Sequence, residues 1–148
     1  MLHAAIKASA TMNPNINQHK TSPVVIQEDE CESVGWDDSL NGNVHWRTLL
    51  SADRTSSHTM TCGVTEIGPG HPDKILLHSH AQVEVYYFLS GTGVVHIDGE
   101  EYAAKAGTTV FIPGNARHGV RNTGEDALRL FYVFAVDSFS DVKYVFQE

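Results

Sequence analysis

The chain has 148 residues, of which 41% are hydrophobic and 19% are charged, and its formal net charge is −8. This length predicts a single domain with one core of ordinary size. Lys and Arg total only 10 and are scattered, which argues against a nucleic-acid partner. No stretch approaches the roughly 18 apolar residues of a membrane span, so we expect a soluble cytoplasmic protein with no membrane partner.

The N-terminal stretch, residues 1 to about 22, differs in composition from the rest because it contains no acidic residue. We predict that it is a disordered or loosely attached tail and that residues 23–148 form the domain. A short targeting or leader sequence is the alternative, although transit peptides are usually richer in Arg and Ser. Cys31 and Cys62 stand in no metal or redox spacing and are predicted to be free thiols.

From Val24 onward, short apolar runs alternate with turn residues, and no segment keeps a helical period over three turns. Low helix content is therefore expected. The pair Asp98-Gly99 predicts a type I′ hairpin. About ten strands at this spacing predict an all-β sandwich or barrel that can hold one small ligand inside. The predicted strands are residues 24–27, 44–50, 59–67, 75–78, 82–89, 93–97, 101–103, 108–112, 118–121, 128–136 and 142–146.

The stretch HSHAQVEVYYFLSG, residues 78–91, contains three side chains of the metal-ligand type. His78 and His80 share one face of a strand with Cα atoms about 6.5–7 Å apart, so both imidazoles can reach one ion. Glu84 can add a carboxylate oxygen, and His118 in GTTVFIPGNARHGVRN is the expected fourth ligand. Such a set predicts one divalent transition-metal ion (Fe, Mn, Ni, Co or Zn) with open positions for chemistry.

Two separated motifs contain these four candidate ligands. The pattern H-x-H-x₃-E-x₆-G is met by His78, His80, Glu84 and Gly91, and G-x₅-P-x-G-x₂-H-x₃-N is met by Gly107, Pro113, His118 and Asn122. Both resemble the paired motifs of the cupins, which implies a single-domain double-stranded β-helix, or jelly-roll barrel. The motifs depart from the usual pattern at Gly70, which lies eight residues before His78 instead of six, and at Asn115, which replaces a glycine. Both are turn positions, so turn shape is expected to differ rather than the ligand set.

A narrower resemblance runs from about Gly35 to Phe146 and is clearest in GNARHGVRNTGEDALRLFYVFAVDSFSDVKYVF. This run is similar to the end of the small cupins that cleave dimethylsulfoniopropionate. In those lyases, one tyrosine two residues after the metal-binding glutamate and another near the C-terminus are implicated at the active site, and they match Tyr86 and Tyr144. The resemblance implies a metal-assisted β-elimination with a tyrosine base, which yields dimethyl sulfide and acrylate.

A sulfonium substrate would favour aromatic surroundings, because a cation resting on an aromatic face gains about 0.5–2 kcal/mol. Tyr132 and Phe111 are therefore predicted to line the substrate pocket, and His96 is a further pocket candidate. The expected small-molecule partner is a carboxylate. Residues 24–27 and 142–146 are predicted edge strands, and exposed edges tend to be covered or paired. We expect a homodimer, with a lid or a strand swap as the alternatives.

Three other functions stay open at this point. An iron-dependent dioxygenase uses the same three-histidine, one-glutamate set, although Glu84 counts against the thiol dioxygenases, which typically bind iron through histidines alone. A non-redox isomerase would act on sugars, and the mainly aromatic and aliphatic inward face counts against a carbohydrate pocket. A non-catalytic small-molecule-binding protein is the third alternative, without a helix-turn-helix segment or a second cupin unit to support it.

Overall fold

The computed structural model describes residues 22–38, 42–71 and 75–146. Nearly all of the predicted tail lies outside these ranges, so its disorder stays a prediction. None of the helices in the described ranges is long and apolar enough to cross a membrane. Cys31 and Cys62 are free thiols, as expected.

Two antiparallel sheets make up the described part of the chain, and its two helices are single 3₁₀ turns at Glu28–Glu30 and Phe139–Asp141. This confirms the all-β prediction. The strands are β1 Val34–Asp38, β2 Gly42–Leu50, β3 Thr61–Ile67, β4 His78–Ser79, β5 Glu84–Ser90, β6 Thr92–Ile97, β7 Glu100–Lys105, β8 Thr109–Ile112, β9 His118–Asn122, β10 Leu128–Phe134 and β11 Val145–Phe146. One sheet has the order β1-β2-β3-β10-β5-β8, and the other has the order β11-β4-β9-β6-β7.

The ends of the domain differ most from the sequence prediction. Residues 24–27 are not a strand, and the predicted strand at 142–146 shortens to Val145–Phe146. The segment before β1 is held instead by side chains, because Arg47 Nε donates to the Cys31 carbonyl at 3.2 Å and Arg129 pairs with Glu28. Strand β1 was not predicted from VGWDD, which contains only two large apolar residues, and it is fixed by pairing with β2.

The turns follow the sequence prediction. Asp98 and Gly99 both have positive φ, at 49° and 95°, as a type I′ hairpin between β6 and β7 requires. Asn115 lies in the left-handed region with φ 65°, a conformation that Asn tolerates better than most residues. Asn115 therefore occupies a left-handed turn position, where a glycine would also fit.

The core lies between the two sheets, and the alternation in β5 decides which side chains enter it. Glu84, Tyr86 and Phe88 are buried, whereas Tyr87 is exposed. Strand β10 pairs with β5 so that Tyr132 lies opposite Tyr86, on the same inward face. Full burial of a side chain such as Phe88 stabilises the fold by about 1.5–3 kcal/mol. The inward face of β5 therefore combines apolar core residues with the polar candidates of the first motif.

Candidate active site

The three histidines of the two motifs converge at one end of the core. Strand β4 pairs with β9 so that His78 lies directly opposite His118, and their ring centroids are 4.3 Å apart. His80 follows β4, with its ring 4.8 Å from that of His118. One ring nitrogen from each histidine lies within 4.8 Å of the other two. Pairing of two distant segments therefore builds a site that could hold a metal ion.

Backbone hydrogen bonds fix which nitrogen of each histidine faces this site. Every Nδ1 lies against a backbone carbonyl, which can only accept, so each Nδ1 must carry the proton. In its neutral form, a ring held in this way presents its Nε2 lone pair to the site. The three contacts join His78 to Leu76 at 2.8 Å, His80 to Gln82 at 3.0 Å, and His118 to Ala116 at 2.8 Å.

Glu84 completes the cluster from β5. Its Oε2 lies 3.3 Å from His80 Nε2 and 3.2 Å from His118 Nε2, and the residue is 3% exposed. Burial alone would raise the pKa of this carboxyl, but the contacts with His118 and His80 lower it below its usual value. A buried carboxylate this close to two ring nitrogens needs positive charge beside it, either a proton on a nitrogen or a metal cation among them. The donor set therefore fits a divalent transition-metal ion, and imidazole and carboxylate suit several of them.

A cavity of about 360 Å³ opens beside the cluster, and His78 and Glu84 belong to its wall. Most of the remaining wall is apolar, and no Lys or Arg is among its described residues. This leaves the site without a fixed protein cation for an anionic substrate group. The aromatic residues of the wall are Trp36, Trp46, Tyr86, Tyr132, Phe139, Tyr144 and Phe146.

Both tyrosines predicted as catalytic lie at this cavity. The Tyr144 ring centroid is 5.0 Å from that of His78 and 5.5 Å from that of His80, whereas the Tyr86 ring is 6.3 Å from that of His118. Burial, followed by the charge of Glu84, raises the pKa of Tyr86 well above its usual value and also raises that of Tyr144. Without added positive charge, both phenols are therefore protonated at neutral pH.

Tyr132 lines the cavity, as predicted, and its position depends on a glycine. Its hydroxyl lies 3.2 Å from Thr48 Oγ1, and burial raises its pKa to about 12 although the contact with Thr48 lowers it. A Cβ on Gly63 would lie 2.4 Å from the Tyr132 hydroxyl oxygen and 2.2 Å from the Arg47 carbonyl oxygen. The absence of a side chain at position 63 therefore makes room for Tyr132.

Comparisons with known proteins agree with this geometry. Residues 63–134 match the cupin domain family Cupin_2. The chain is 37% identical over 124 residues to dimethylsulfoniopropionate lyase DddW of Ruegeria pomeroyi, a match that covers 84% of this chain and 80% of that protein. The chain belongs to the cupin family.

Other relatives of this cupin have different descriptions. It is 31% identical over 93 residues to an oxalate-binding protein of Thermotoga maritima, over 62% of this chain and 75% of that protein. Among solved structures, a cupin-2 domain of Rhodospirillum rubrum superposes with a TM-score of 0.68 at 19% identity, covering 84% of this chain and 80% of that one. The structural likeness supports the cupin fold and carries no information on the substrate.

The structure does not bring Phe111 to the cavity of this cupin. On β8, Phe111 pairs with Val85, whereas the neighbouring Ile112 pairs with Glu84 on the inward face. Phe111 is therefore directed outward and is 62% exposed, while Ile112 is fully buried. Alternation alone could not decide between the two, because a register shift of one residue exchanges the faces of a strand.

His96 is also not part of the cavity wall. On β6 it pairs with Gly119 of β9, and the next pair joins Ile97 to His118. Because successive residues alternate between faces, Ile97 shares the inward face with His118, and His96 belongs to the outer face. The prediction that His96 lies in the substrate pocket is therefore not supported.

Several residues of the cavity wall were not predicted from the sequence. Trp36 lies on β1, which was not predicted, and Trp46 lies on β2, for which no facing direction was assigned. Phe139 belongs to a 3₁₀ turn and Phe146 to the two-residue strand β11. A count of tryptophans would have been a useful signal, because both tryptophans of the chain line this cavity.

Acidification is expected to destabilise the metal-free protein. Burial and the neighbouring His118 lower the pKa of His78 to about 4, below the value of about 6.5 in an unfolded chain. Between these values the unfolded chain binds more protons, so stability is highest above pH 6.5 and falls as the pH drops toward 4. Thermal melting of chelator-treated protein across this range should show a falling midpoint.

Two variants provide the control for this pH dependence. His78→Gln should reduce the dependence of the melting midpoint on pH. His58 is exposed, so His58→Gln should show the same dependence as the unmodified protein. If the melting midpoint changed equally with pH in the unmodified protein and in His78→Gln, His78 would not be the source of the pH dependence.

Proposed function

We propose that this cupin is a metal-dependent lyase that cleaves dimethylsulfoniopropionate or a similar small carboxylate. The observation that carries the proposal is the position of two tyrosines, Tyr86 and Tyr144, beside the histidine and glutamate cluster in one aromatic cavity. The similarity to the lyase DddW supports this substrate class. The cluster supplies the metal ligands, the tyrosines supply a proton acceptor, and the aromatic wall favours a cationic sulfonium.

His78, His80, Glu84 and His118 would hold one divalent transition-metal ion. When bound, the ion would supply the positive charge that the cavity wall lacks, for the substrate carboxylate, the carbon beside it and the neighbouring phenols. The chain's own part is to orient the three imidazoles through their Nδ1 hydrogen bonds, so that each Nε2 is directed toward the site. Glu84 offsets part of the cationic charge from the opposite sheet.

Tyr144 is the preferred base of the two tyrosines. Burial and the charge of Glu84 hold the proton on Tyr86, whose ring centroid lies 6.3 Å from that of His118. The ring of Tyr144 lies closer to the cluster, with its centroid 5.0 Å from that of His78 and 5.5 Å from that of His80. Lowering a phenol pKa by two units takes roughly 2.7 kcal/mol, which a nearby divalent charge can supply. We assign proton removal to Tyr144, and to Tyr86 an electrostatic interaction with Glu84.

The reaction is a β-elimination. The Tyr144 phenolate removes a proton from the carbon next to the carboxylate, and the electron pair of that C–H bond forms the new carbon–carbon double bond. The bond between the β-carbon and sulfur breaks, and its electron pair leaves with sulfur. The products are acrylate and neutral dimethyl sulfide, and the proton remains on Tyr144 until solvent accepts it.

The test is an assay of metal-loaded protein with dimethylsulfoniopropionate under nitrogen and under air. We expect dimethyl sulfide and acrylate in equal amounts, at the same rate in both atmospheres, and none after the metal is chelated. Absence of product from metal-replete protein would refute the lyase assignment. Oxygen uptake with an aromatic or thiol substrate would instead identify the iron-dependent dioxygenase.

We also propose that this cupin forms a homodimer, although not through the predicted edge strands at residues 24–27 and 142–146. Strand β8 is an edge of the six-stranded sheet, and Phe111 on it is 62% exposed. Tyr87 and Leu89 on the adjacent β5 are 45% and 39% exposed. Apolar residues at an exposed sheet edge favour pairing with another chain. Sedimentation equilibrium of the unmodified protein and of Phe111→Glu would test it, because the variant should be monomeric.

A further inference from the structure

The two tryptophans of this protein form one aromatic pair on the cavity wall. Trp36 and Trp46 lie on β1 and β2, and their ring centroids are 5.3 Å apart with the planes at 70°. Both contribute to the wall and are half-buried. An edge-to-face contact holds the two indoles in a defined relative orientation. The arrangement leaves aromatic surface in contact with the cavity.

The tryptophan pair lies on the inner face of the six-stranded sheet, apart from the candidate metal ligands. Trp46 pairs with Thr65 of β3, and Thr65 pairs with Leu130 of β10, two residues before Tyr132. All four residues belong to the wall of the same cavity. The cavity therefore extends along this strip from the tyrosine and histidine side to the tryptophan pair, so one ligand can contact groups of different chemistry at its two ends.

The pair also lies outside the part of the chain that matches the cupin family. Residues 63–134 contain His78, His80, Glu84 and His118, whereas Trp36 and Trp46 precede them. A unit shared by proteins of many activities supplies the metal ligands, and function on a common fold depends on what is added to the site. The flanking tryptophans are thus in a position to determine which substrate the metal site receives.

The chemistry of the wall at this end suits a cation that cannot donate hydrogen bonds. The described wall contains no Lys or Arg, and apart from the tyrosines and the histidine and glutamate cluster its polar side chains are Asn43, Thr65 and His71. A sulfonium or quaternary ammonium group has no N–H or O–H and is recognised mainly through aromatic faces. Tryptophan is the most effective aromatic residue for this contact.

We propose that the Trp36–Trp46 pair is the specificity subsite that binds the onium group of a carboxylate substrate. The inference rests on the proposed function, because it places the carboxylate end of the substrate at the histidine and glutamate cluster. The pair acts in binding and takes no part in proton transfer. It therefore sets the affinity for a substrate with an onium group and leaves the affinity for a carboxylate of the same shape without that group unchanged.

Two probes of equal shape test the subsite by their binding, without relying on turnover. One is 3-(trimethylammonio)propionate, which carries a permanent cation, and the other is 4,4-dimethylpentanoate, in which carbon replaces the nitrogen. Calorimetric titration of the metal-loaded protein should give tighter binding of the cation by roughly 2- to 30-fold. Because Trp36 and Trp46 are the only tryptophans, the cation should also change the intrinsic tryptophan fluorescence.

Substitutions separate the contribution of the tryptophans from that of the rest of the cavity. Trp46→Leu and Trp36→Leu should lower the preference for the cation toward unity without changing the affinity for 4,4-dimethylpentanoate by more than about 2-fold. Trp46→Phe and Trp36→Phe should keep part of the preference for the cation. These variants provide the measurement if a leucine variant does not fold. Tyr102→Leu is the matched control, because this aromatic residue on β7 is 52% exposed and lies outside the cavity wall.

The outcomes distinguish this inference from the lyase proposal. A cation preference that persists in folded Trp36 and Trp46 variants would overturn the subsite, whether or not dimethyl sulfide is released. A preference that depends on the tryptophans in a protein that releases no dimethyl sulfide would support the subsite and refute the lyase. In an active lyase, the variants should raise KM for dimethylsulfoniopropionate and leave kcat within about 2-fold.

Discussion

Replacement of His118 by alanine should remove the bound metal and abolish turnover. His118 is fully buried, contacts Glu84 at 3.2 Å and lies opposite His78, so its loss takes one donor from the centre of the cluster. Loss of a residue that only supports a metal ligand typically costs 10–100-fold in affinity, and loss of a ligand should cost at least about 100-fold. Metal analysis after dialysis should change from about one ion per chain to nearly none, with activity reduced by at least about 100-fold.

A matched histidine outside the cluster provides the control. His96 lies on the outer face of β6 and not on the cavity wall. The variant His96→Ala should therefore have the metal content, melting temperature and activity of the unmodified protein. Full metal content and turnover in a folded His118→Ala variant would disprove the ligand assignment. Glu84→Gln provides a second measurement, because it keeps the shape of the side chain while removing the charge that faces His80 and His118.

Replacement of Tyr144 by phenylalanine should reduce kcat by roughly 10²–10⁴-fold, the usual contribution of a positioned general base. The ring contacts with His78 and His80 survive this change, so the metal should stay bound and KM should change little. A base must be deprotonated to act, so the rate of the unmodified protein should rise with pH up to the pKa of Tyr144 in the metal-loaded site. That rising limb should disappear in Tyr144→Phe.

Comparison with two other tyrosines makes this result specific. Tyr87→Phe, on the exposed face of β5, should leave kcat and its pH profile unchanged. Tyr86→Phe should affect metal affinity more than the pH profile, because Tyr86 interacts electrostatically with the Glu84 carboxylate. If Tyr86→Phe instead removed the rising limb while Tyr144→Phe kept it, the base would be Tyr86. Normal turnover in both variants would exclude a tyrosine base.

The sequence specified features that depend on neighbouring residues. Spacing of i and i+2 placed His78 and His80 on nearby positions of one segment, and alternation directed Glu84 and Tyr86 inward from β5. The Asp98-Gly99 turn was predictable because its positive φ angles suit few residue types. These properties follow from backbone geometry within a few residues, so no knowledge of distant contacts was needed.

The tertiary structure decided everything that depends on pairing between strands. Register between β5 and β8 buried Ile112 and exposed Phe111, and register between β6 and β9 turned His96 away from the cavity. In the same way, pairing of β1 with β2 and of β2 with β3 placed Trp36 and Trp46 on the cavity wall. A strand pattern is unchanged by moving it one residue along its partner, yet that shift exchanges its two faces. The candidate metal ligands were therefore readable from spacing within motifs, whereas the substrate-facing wall was fixed only by how distant strands align.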